Sequence, residues 1–370
     1  MHMYDLIVIG GGPAGASAAR EGARLGLRVL LIEKERFPRY KPCGGALSER
    51  ARSYLGFRIP DEVIDAEISR LRIFFRDRCA EISRSERLST LVTRSVFDEM
   101  LLRRAEDAGA EVLLGRRAKE ISERGEYVRI RAGDTYEGRI LVIADGHTGV
   151  LSRKIRPRDA MTGMCLVTEV SAENSSDRME IHFGEAYMGY AWVFPHGSYL
   201  SVGAGGLRSS NIRGIMERLM NSRGFRGKIH GHTIPLSGPS GYIAGRRTML
   251  CGDSAGMVDP FTGEGIAYAL RSGQIAAEVA SEHLTEGCDI VEYQRRCKNE
   301  FGDDLRASFL LARIMHRFPD QLFNMFMDDR SLLERYIDIH AHGLSYRSFL
   351  RWLAPRAPAK LIASVISKMV

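Results

Sequence analysis

Residues 4–33 read YDLIVIGGGPAGASAAREGARLGLRVLLIE. The opening run Leu6–Ile9 has no polar face, as in a strand covered on both sides within a parallel sheet. Glycines follow at Gly10, Gly12 and Gly15, the spacing G-x-G-x-x-G. Gly10 permits a tight turn, Gly12 lets a pyrophosphate approach the backbone, and Gly15 lets the next helix lie close on the strand. That helix carries Ala18, Ala19, Ala23 and Leu25, and its N-terminus offers free N–H groups and a positive dipole end to phosphates. A second apolar run, Val29–Ile32, ends in Glu33, placed to accept hydrogen bonds from ribose hydroxyls and to repel a 2′-phosphate. The whole unit points to a dinucleotide, with NADP disfavoured at this site.

The other 340 residues of the 370 leave room for a second domain and a sizeable core. Apolar residues make up 44% and charged residues 27% of the chain, an ordinary globular balance. The net charge of +7 is spread along the sequence and forms no basic tract interleaved with aromatics, so nucleic acid is not expected as a partner. Cysteines 43, 79, 165, 251, 288 and 297 form no CxxC pair. Neither a zinc site nor a disulfide framework is expected, and a reducing, cytoplasmic compartment is. No signal peptide and no apolar run of transmembrane length are visible.

Downstream, KPCGGALS (41–48) combines proline, a thiol at Cys43 and bare backbone at Gly44 and Gly45. It reads as a loop, with Ser48 set to cap the short helix after it. Residues 66–92 alternate as strands do. From Arg94, the apolar positions Phe97, Met100, Leu101 and Ala105 predict a helix feeding the strand Glu111–Leu114. Residues 117–145 read as hairpin strands, and the last, Ile140–Ala144, runs into an Asp145-Gly146 turn. That end of an open parallel sheet is where ligands bind.

Residues 160–206 change style to MCLVTEV, MEIHF, YAWVFP and YLSVGAG, which predict an antiparallel sheet inserted into the first domain. Tyr190, Trp192 and Phe194 are sheet core or the wall of an apolar pocket. RTMLCGDSAG then returns to a buried strand ending in Gly252-Asp253. A glycine-rich loop with Gly263 and Gly265 follows, and a helix from Ile266. A flavin explains this arrangement: Asp253 can hold a ribityl hydroxyl, and the helix N-terminus can face the ring edge that gains charge on reduction. Residues 360–369 place Leu361, Ile362, Val365, Ile366 and Met369 on one face, a helix that docks on its own domain or on an anionic membrane surface.

Taken together, these stretches resemble the geranylgeranyl reductases, within the glutathione-reductase-type FAD superfamily that includes p-hydroxybenzoate hydroxylase. The resemblance runs to about residue 290. It rests on GGGPAG with Glu33, on KPCGGALS, on Arg94 with Phe97-Asp98, on Asp145-Gly146, on YAWVFP as the family's Y-x-W-x-F-P element, and on CGDSAGMVDPFTGEGI. It implies FAD held by Gly10, Gly12, Ala14, Gly15 and Glu33, by Gly44, Gly45, Ala46 and Arg94, by a backbone group at Ala118, and by Asp145, Gly146, Asp253, Gly263, Gly265 and Ile266. It implies a prenyl chain against Tyr190, Trp192 and Phe194, with Cys43 near the ring as a candidate proton donor.

The expected architecture is α/β. A discontinuous Rossmann-like FAD domain spans 1–65, 90–158 and 245–290. An inserted α+β substrate domain with an antiparallel sheet spans 66–89 and 159–244, and a helical region spans 291–370. The expected reaction is saturation of isoprenoid double bonds on lipids or their precursors. The electron donor would be NAD(P)H or ferredoxin, and peripheral contact with the inner face of the membrane is expected. The alternatives are a flavin monooxygenase or halogenase on the same scaffold and a non-catalytic membrane-associated flavoprotein.

Overall fold

The computed structural model describes residues 3–156, 161–174, 176–238 and 241–356. The first strand, Tyr4–Ile9, lies between Val29–Glu33 and Asp134–Ile143, parallel to both. Glu111–Leu114 and Thr248–Leu250 extend the parallel part on either side. Leu6, Ile7, Val8, Leu30, Leu31 and Ile140–Ile143 are fully buried, each aliphatic side chain contributing about 1.5–3 kcal/mol. Asp134–Ile143 serves twice. Its second half joins this core, and its first half pairs antiparallel with Tyr127–Ala132, which pairs in turn with Glu120–Arg124.

The fingerprint helix, Pro13–Arg24, covers one face and packs on the long helix Ile266–Glu286. The two approach so closely that a Cβ on Gly273 would fall 2.2 Å from the Ala14 carbonyl oxygen.

The second sheet has seven strands in the order His230–Pro235, Thr162–Asn174, Gly197–Leu207, Tyr190–Pro195, Arg178–Phe183, Arg70–Phe75, Arg78–Ser83. It is mixed, not purely antiparallel as the sequence suggested: Arg178–Phe183 runs parallel to Arg70–Phe75. The reason is the entry point. The N–H groups of Ser69 and Arg70 both donate to the Asp177 carbonyl at 3.0 Å, and the Arg70 guanidinium grips the Asp177 carboxylate. Two segments distant in sequence therefore start side by side and run the same way. Ala66–Ile68 also departs from expectation: it pairs with Ser89–Leu91, whose other edge takes Ala46–Leu47, in a separate three-stranded sheet.

The strand Tyr190–Pro195 has two working faces, as period-two alternation requires. Ala191 and Val193 pack with Ile212, Ile215 and Met216 of the helix Ile212–Arg223. Trp192 and Phe194 join a larger apolar cluster with Phe261, Met315, Phe323 and Phe349. The last three come from the C-terminal helices Asp303–Arg317, Pro319–Asp328 and Tyr346–Leu353, which close over this face. The amphipathic stretch 360–369 lies outside the described residues.

Candidate functional site

The carboxyl ends of the parallel strands and the aromatic face of the second sheet enclose one cavity of about 770 Å³. Its floor is the glycine turn. Gly10 has φ +105°, and a Cβ there would sit 2.3 Å from the Ala144 carbonyl oxygen. Gly15 does not line the cavity. A Cβ on it would fall 1.8 Å from the Gly10 carbonyl oxygen, so its role is to seat the helix on the strand. Gly12 is the N-cap, with no side chain to bond the first amides, and it lines the cavity with Gly10, Pro13 and Ala14.

Glu33 lines the cavity where the second strand ends. Its carboxylate accepts from the Gly11 N–H at 2.6 Å and the Glu35 N–H at 2.8 Å, which fixes its direction. Arg116, Arg117, Ala118 and Lys119 form the adjoining wall. Asp145 and Gly146 also reach the cavity, but the Asp145 carboxylate serves the protein itself. It accepts from the Leu151 N–H at 2.9 Å, the Ser152 N–H at 3.3 Å and the Ser254 hydroxyl at 3.1 Å. Its direct effect is to shape the loop that follows the strand.

Arg39, which the sequence reading passed over, stands 3.7 Å from where a Cβ on Gly12 would be. Its Nη1 is buried and without a hydrogen-bond partner among the described residues. An orphaned guanidinium N–H, a helix N-terminus and an open approach at Gly12 converge on one spot. That donor set fits the pyrophosphate of a dinucleotide.

Arg39 is held there by Asp98, which is fully buried and accepts from its Nη2 at 3.0 Å. Arg94 grips the same carboxylate through Nε at 2.8 Å and Nη2 at 2.9 Å. Burial works against the Arg94 charge, but Asp98 and Cys43 more than offset it and hold its pKa above the ordinary value. Asp98→Asn leaves two confined guanidiniums with no counter-charge. A loss of about 3–5 kcal/mol is expected, read as the shift of the chemical-denaturation midpoint.

The cysteine loop forms the next stretch of wall. The Gly45 N–H approaches Cys43 Sγ at 3.4 Å, and the same thiol is one of the groups that favour the charge on Arg94. A Cβ on Gly44 would meet the Phe194 ring at 3.0 Å. Cys43 and Gly44 line the cavity, whereas Gly45 and Ala46 turn away from it. The Gly45 carbonyl accepts from Val92 N–H at 2.9 Å, and Ala46 pairs with Leu91. Opposite, Gly263, Gly265 and Ile266 bring the uncapped N-terminus of the long helix to the cavity, with Asp253 beside it. A Cβ on Gly265 would be 3.2 Å from Asp253 Oδ1.

Tyr190, Trp192 and Phe194 complete the wall, with ring centroids 6.0 and 6.1 Å apart in succession. Tyr190 donates to the Thr262 carbonyl and Trp192 Nε1–H to Ser201 Oγ at 3.3 Å, so their polar ends are satisfied within the protein. The surface left to the cavity is apolar.

Three further groups face this space. Lys41 Nζ lies 2.6 Å from His232 Nε2. Burial, partly opposed by Asp253, pushes the Lys41 ammonium down to about 8. Burial, then the charges of Lys41 and Arg94, push His232 down to about 3, so its ring is neutral at pH 7 and accepts from the ammonium. Cys165 also lines the cavity, and burial pushes its thiol up to about 12.

The family model for FAD-dependent oxidoreductases matches residues 5–147. The chain is 33% identical to geranylgeranyl diphosphate reductase of Rhodobacter capsulatus over 372 aligned residues, covering 94% of this chain and 91% of that one. It is 32% identical to digeranylgeranylglycerophospholipid reductase 1 of Methanopyrus kandleri, over 84% of this chain and 89% of that one. The fold superposes on a geranylgeranyl bacteriochlorophyll reductase-like protein of Thermoplasma acidophilum with a TM-score of 0.85 at 22% identity, covering 99% of both chains. With a fingerprint turn, an acidic second strand and a helix N-terminus around one apolar-walled cavity, the chain belongs to the geranylgeranyl reductase family of FAD-dependent oxidoreductases.

Proposed function

We propose that this protein saturates the double bonds of a geranylgeranyl-type chain carried on a lipid or a lipid precursor. One observation carries the reading: the aromatic face of Tyr190, Trp192 and Phe194 opens onto the same cavity as the glycine turn and the cysteine loop. FAD, once reduced, supplies the hydride. The residues around it have other tasks. Gly10, Gly12, Ala14 and Arg39 receive the pyrophosphate, Glu33 the ribose and Ala118 the adenine. Asp253 and the peptide ends at Gly263, Gly265 and Ile266 hold the ribityl chain and the ring edge.

Gly15, Gly45, Ala46, Asp145 and Gly146 keep these contacts in shape. The three aromatic rings orient the chain and exclude water, so that an isolated alkene, a poor hydride acceptor, is held within reach. The second hydrogen arrives as a proton, which we assign to Cys43.

The single dinucleotide site is taken by FAD, so the electron donor, NAD(P)H or ferredoxin, docks transiently. A prenyl lipid partitions into bilayers, so the protein meets it at the inner membrane surface. Among the described residues, no helix is long and apolar enough to cross a membrane.

The test is anaerobic. The yellow protein is reduced with dithionite and given a geranylgeranyl lipid. Return of the oxidised flavin spectrum, with product heavier by about two mass units per double bond, is the expected result. A flavin that stays reduced with the lipid, and reoxidises only in air with hydroxylated product, replaces this reading with a monooxygenase.

A further inference from the structure

Behind the cavity wall, His196 follows the aromatic strand directly and is 3% exposed. Its Nδ1 lies 2.7 Å from Asp65 Oδ2 and its Nε2 3.0 Å from the Gly44 carbonyl oxygen. Both partners are acceptors. The ring therefore makes both bonds only with a proton on each nitrogen, as an imidazolium. Around it the remaining groups are satisfied. Thr93 Oγ1 donates to Asp65 Oδ2 at 2.7 Å and accepts from the Tyr199 hydroxyl at 2.8 Å. Tyr199 stacks on the imidazole at 4.7 Å and 11°, and burial holds its phenol well above the ordinary pKa, so it keeps its proton. The fit is close on the loop side too: a Cβ on Gly45, whose φ is +70°, would fall 2.8 Å from His196 Cε1.

We propose that the Asp65–His196 pair is a charged clamp on the Gly44 carbonyl that positions Cys43 against Arg94 in the cavity. His196 touches neither the thiol nor the cavity, so it is a positioning residue. The clamp joins three parts that the reaction needs in register. These are the cysteine loop through Gly44, the start of the Arg94 helix through Thr93, and the end of the aromatic strand through His196 itself.

The ring is faced by Asp65 and Tyr199 on one side and by the Gly44 carbonyl on the other. A ring that lacks either N–H loses one of the two bonds and leaves an acceptor facing an acceptor, which releases the loop. The clamp depends on the reading of Cys43 only for its effect on turnover.

The test alkylates the FAD-loaded protein with iodoacetamide between pH 5.5 and 9 and quantifies Cys43 labelling by peptide mass spectrometry. Cys251 and Cys297, both buried, are read as internal controls for unfolding. His196→Phe keeps the stacked ring and loses both bonds. It is expected to label Cys43 about tenfold faster than the native protein. Asp65→Asn lets a neutral ring donate to Gly44 while accepting from the amide, so it is expected to label Cys43 as slowly as the native protein does.

Equal Cys43 labelling in His196→Phe and the native protein at every pH overturns the clamp. So does Asp65→Asn labelling as fast as that of His196→Phe. Turnover separates the two ideas. If Cys43→Ala turns over normally, the proton-donor assignment falls and the labelling result stands. Unaltered labelling removes the clamp and leaves the assignment.

Discussion

Cys43→Ala is expected to keep its flavin and lose turnover by about 10²- to 10⁴-fold, the usual weight of a positioned proton donor. The fold should tolerate the change. Cys43 is only partly buried, and its one backbone partner, the Gly45 N–H, approaches at 3.4 Å, a weak contact. The visible spectrum and the ratio of flavin to protein report retention of FAD, and single-turnover reoxidation by prenyl lipid reports the chemistry. Cys165→Ala is the control, because that thiol faces the same cavity and is held protonated by burial. Full activity in Cys43→Ala with loss in Cys165→Ala would transfer the role to Cys165.

The second large effect separates folding from cofactor binding. Gly12 has φ −75° and extended ψ, a conformation open to any residue. The nearest atom to a Cβ there is the tip of the Arg39 side chain at 3.7 Å. Aspartate is a better N-cap than glycine by a few tenths of a kcal/mol, so Gly12→Asp is expected to fold, with apo-protein stability unchanged or slightly raised. Its carboxylate then occupies the place of the pyrophosphate and engages Arg39. FAD affinity is expected to fall at least about 100-fold, roughly 3 kcal/mol, giving a colourless, well-folded protein. Flavin titration by fluorescence quenching and a thermal melt of the apo-protein measure the two halves. A yellow Gly12→Asp protein would move the phosphate away from this turn.

What could be read from the sequence was what is local. Strand, turn, helix and acidic strand fit within 30 residues, and Ser48 caps its helix by accepting from the Ala51 N–H at 3.1 Å, as its position suggested. The alternation of YAWVFP likewise places its aromatics on one face. The rest depends on contacts between distant segments. Lys41 meets His232 across 191 residues, and His196 meets Asp65 across 131. Nothing local in either segment records such a partner. The parallel pairing of Arg70–Phe75 with Arg178–Phe183 is of the same kind, because each strand alone reads equally well in either direction. Arg39 had a faint signal, a basic loop directly after the ribose acid, but only the approach of its Nη2 to Gly12 and its unpartnered Nη1 give it a task. Asp145 reaches the cavity as its position suggested, but its side chain has a second role. An Asp-Gly at a strand's end suggests a ligand, while the carboxylate is spent on Leu151, Ser152 and Ser254.

The alternation along Tyr190–Pro195 also has an evolutionary consequence. Small residues, Ala191 and Val193, lock the strand onto its supporting helix, while the large rings point the opposite way into the cavity. Stability and selectivity are thus written on alternate letters of one short word. Exchanging the rings reshapes the chamber for chains of other length or saturation and leaves the anchoring side untouched, so a lineage can change its diet without rebuilding its skeleton.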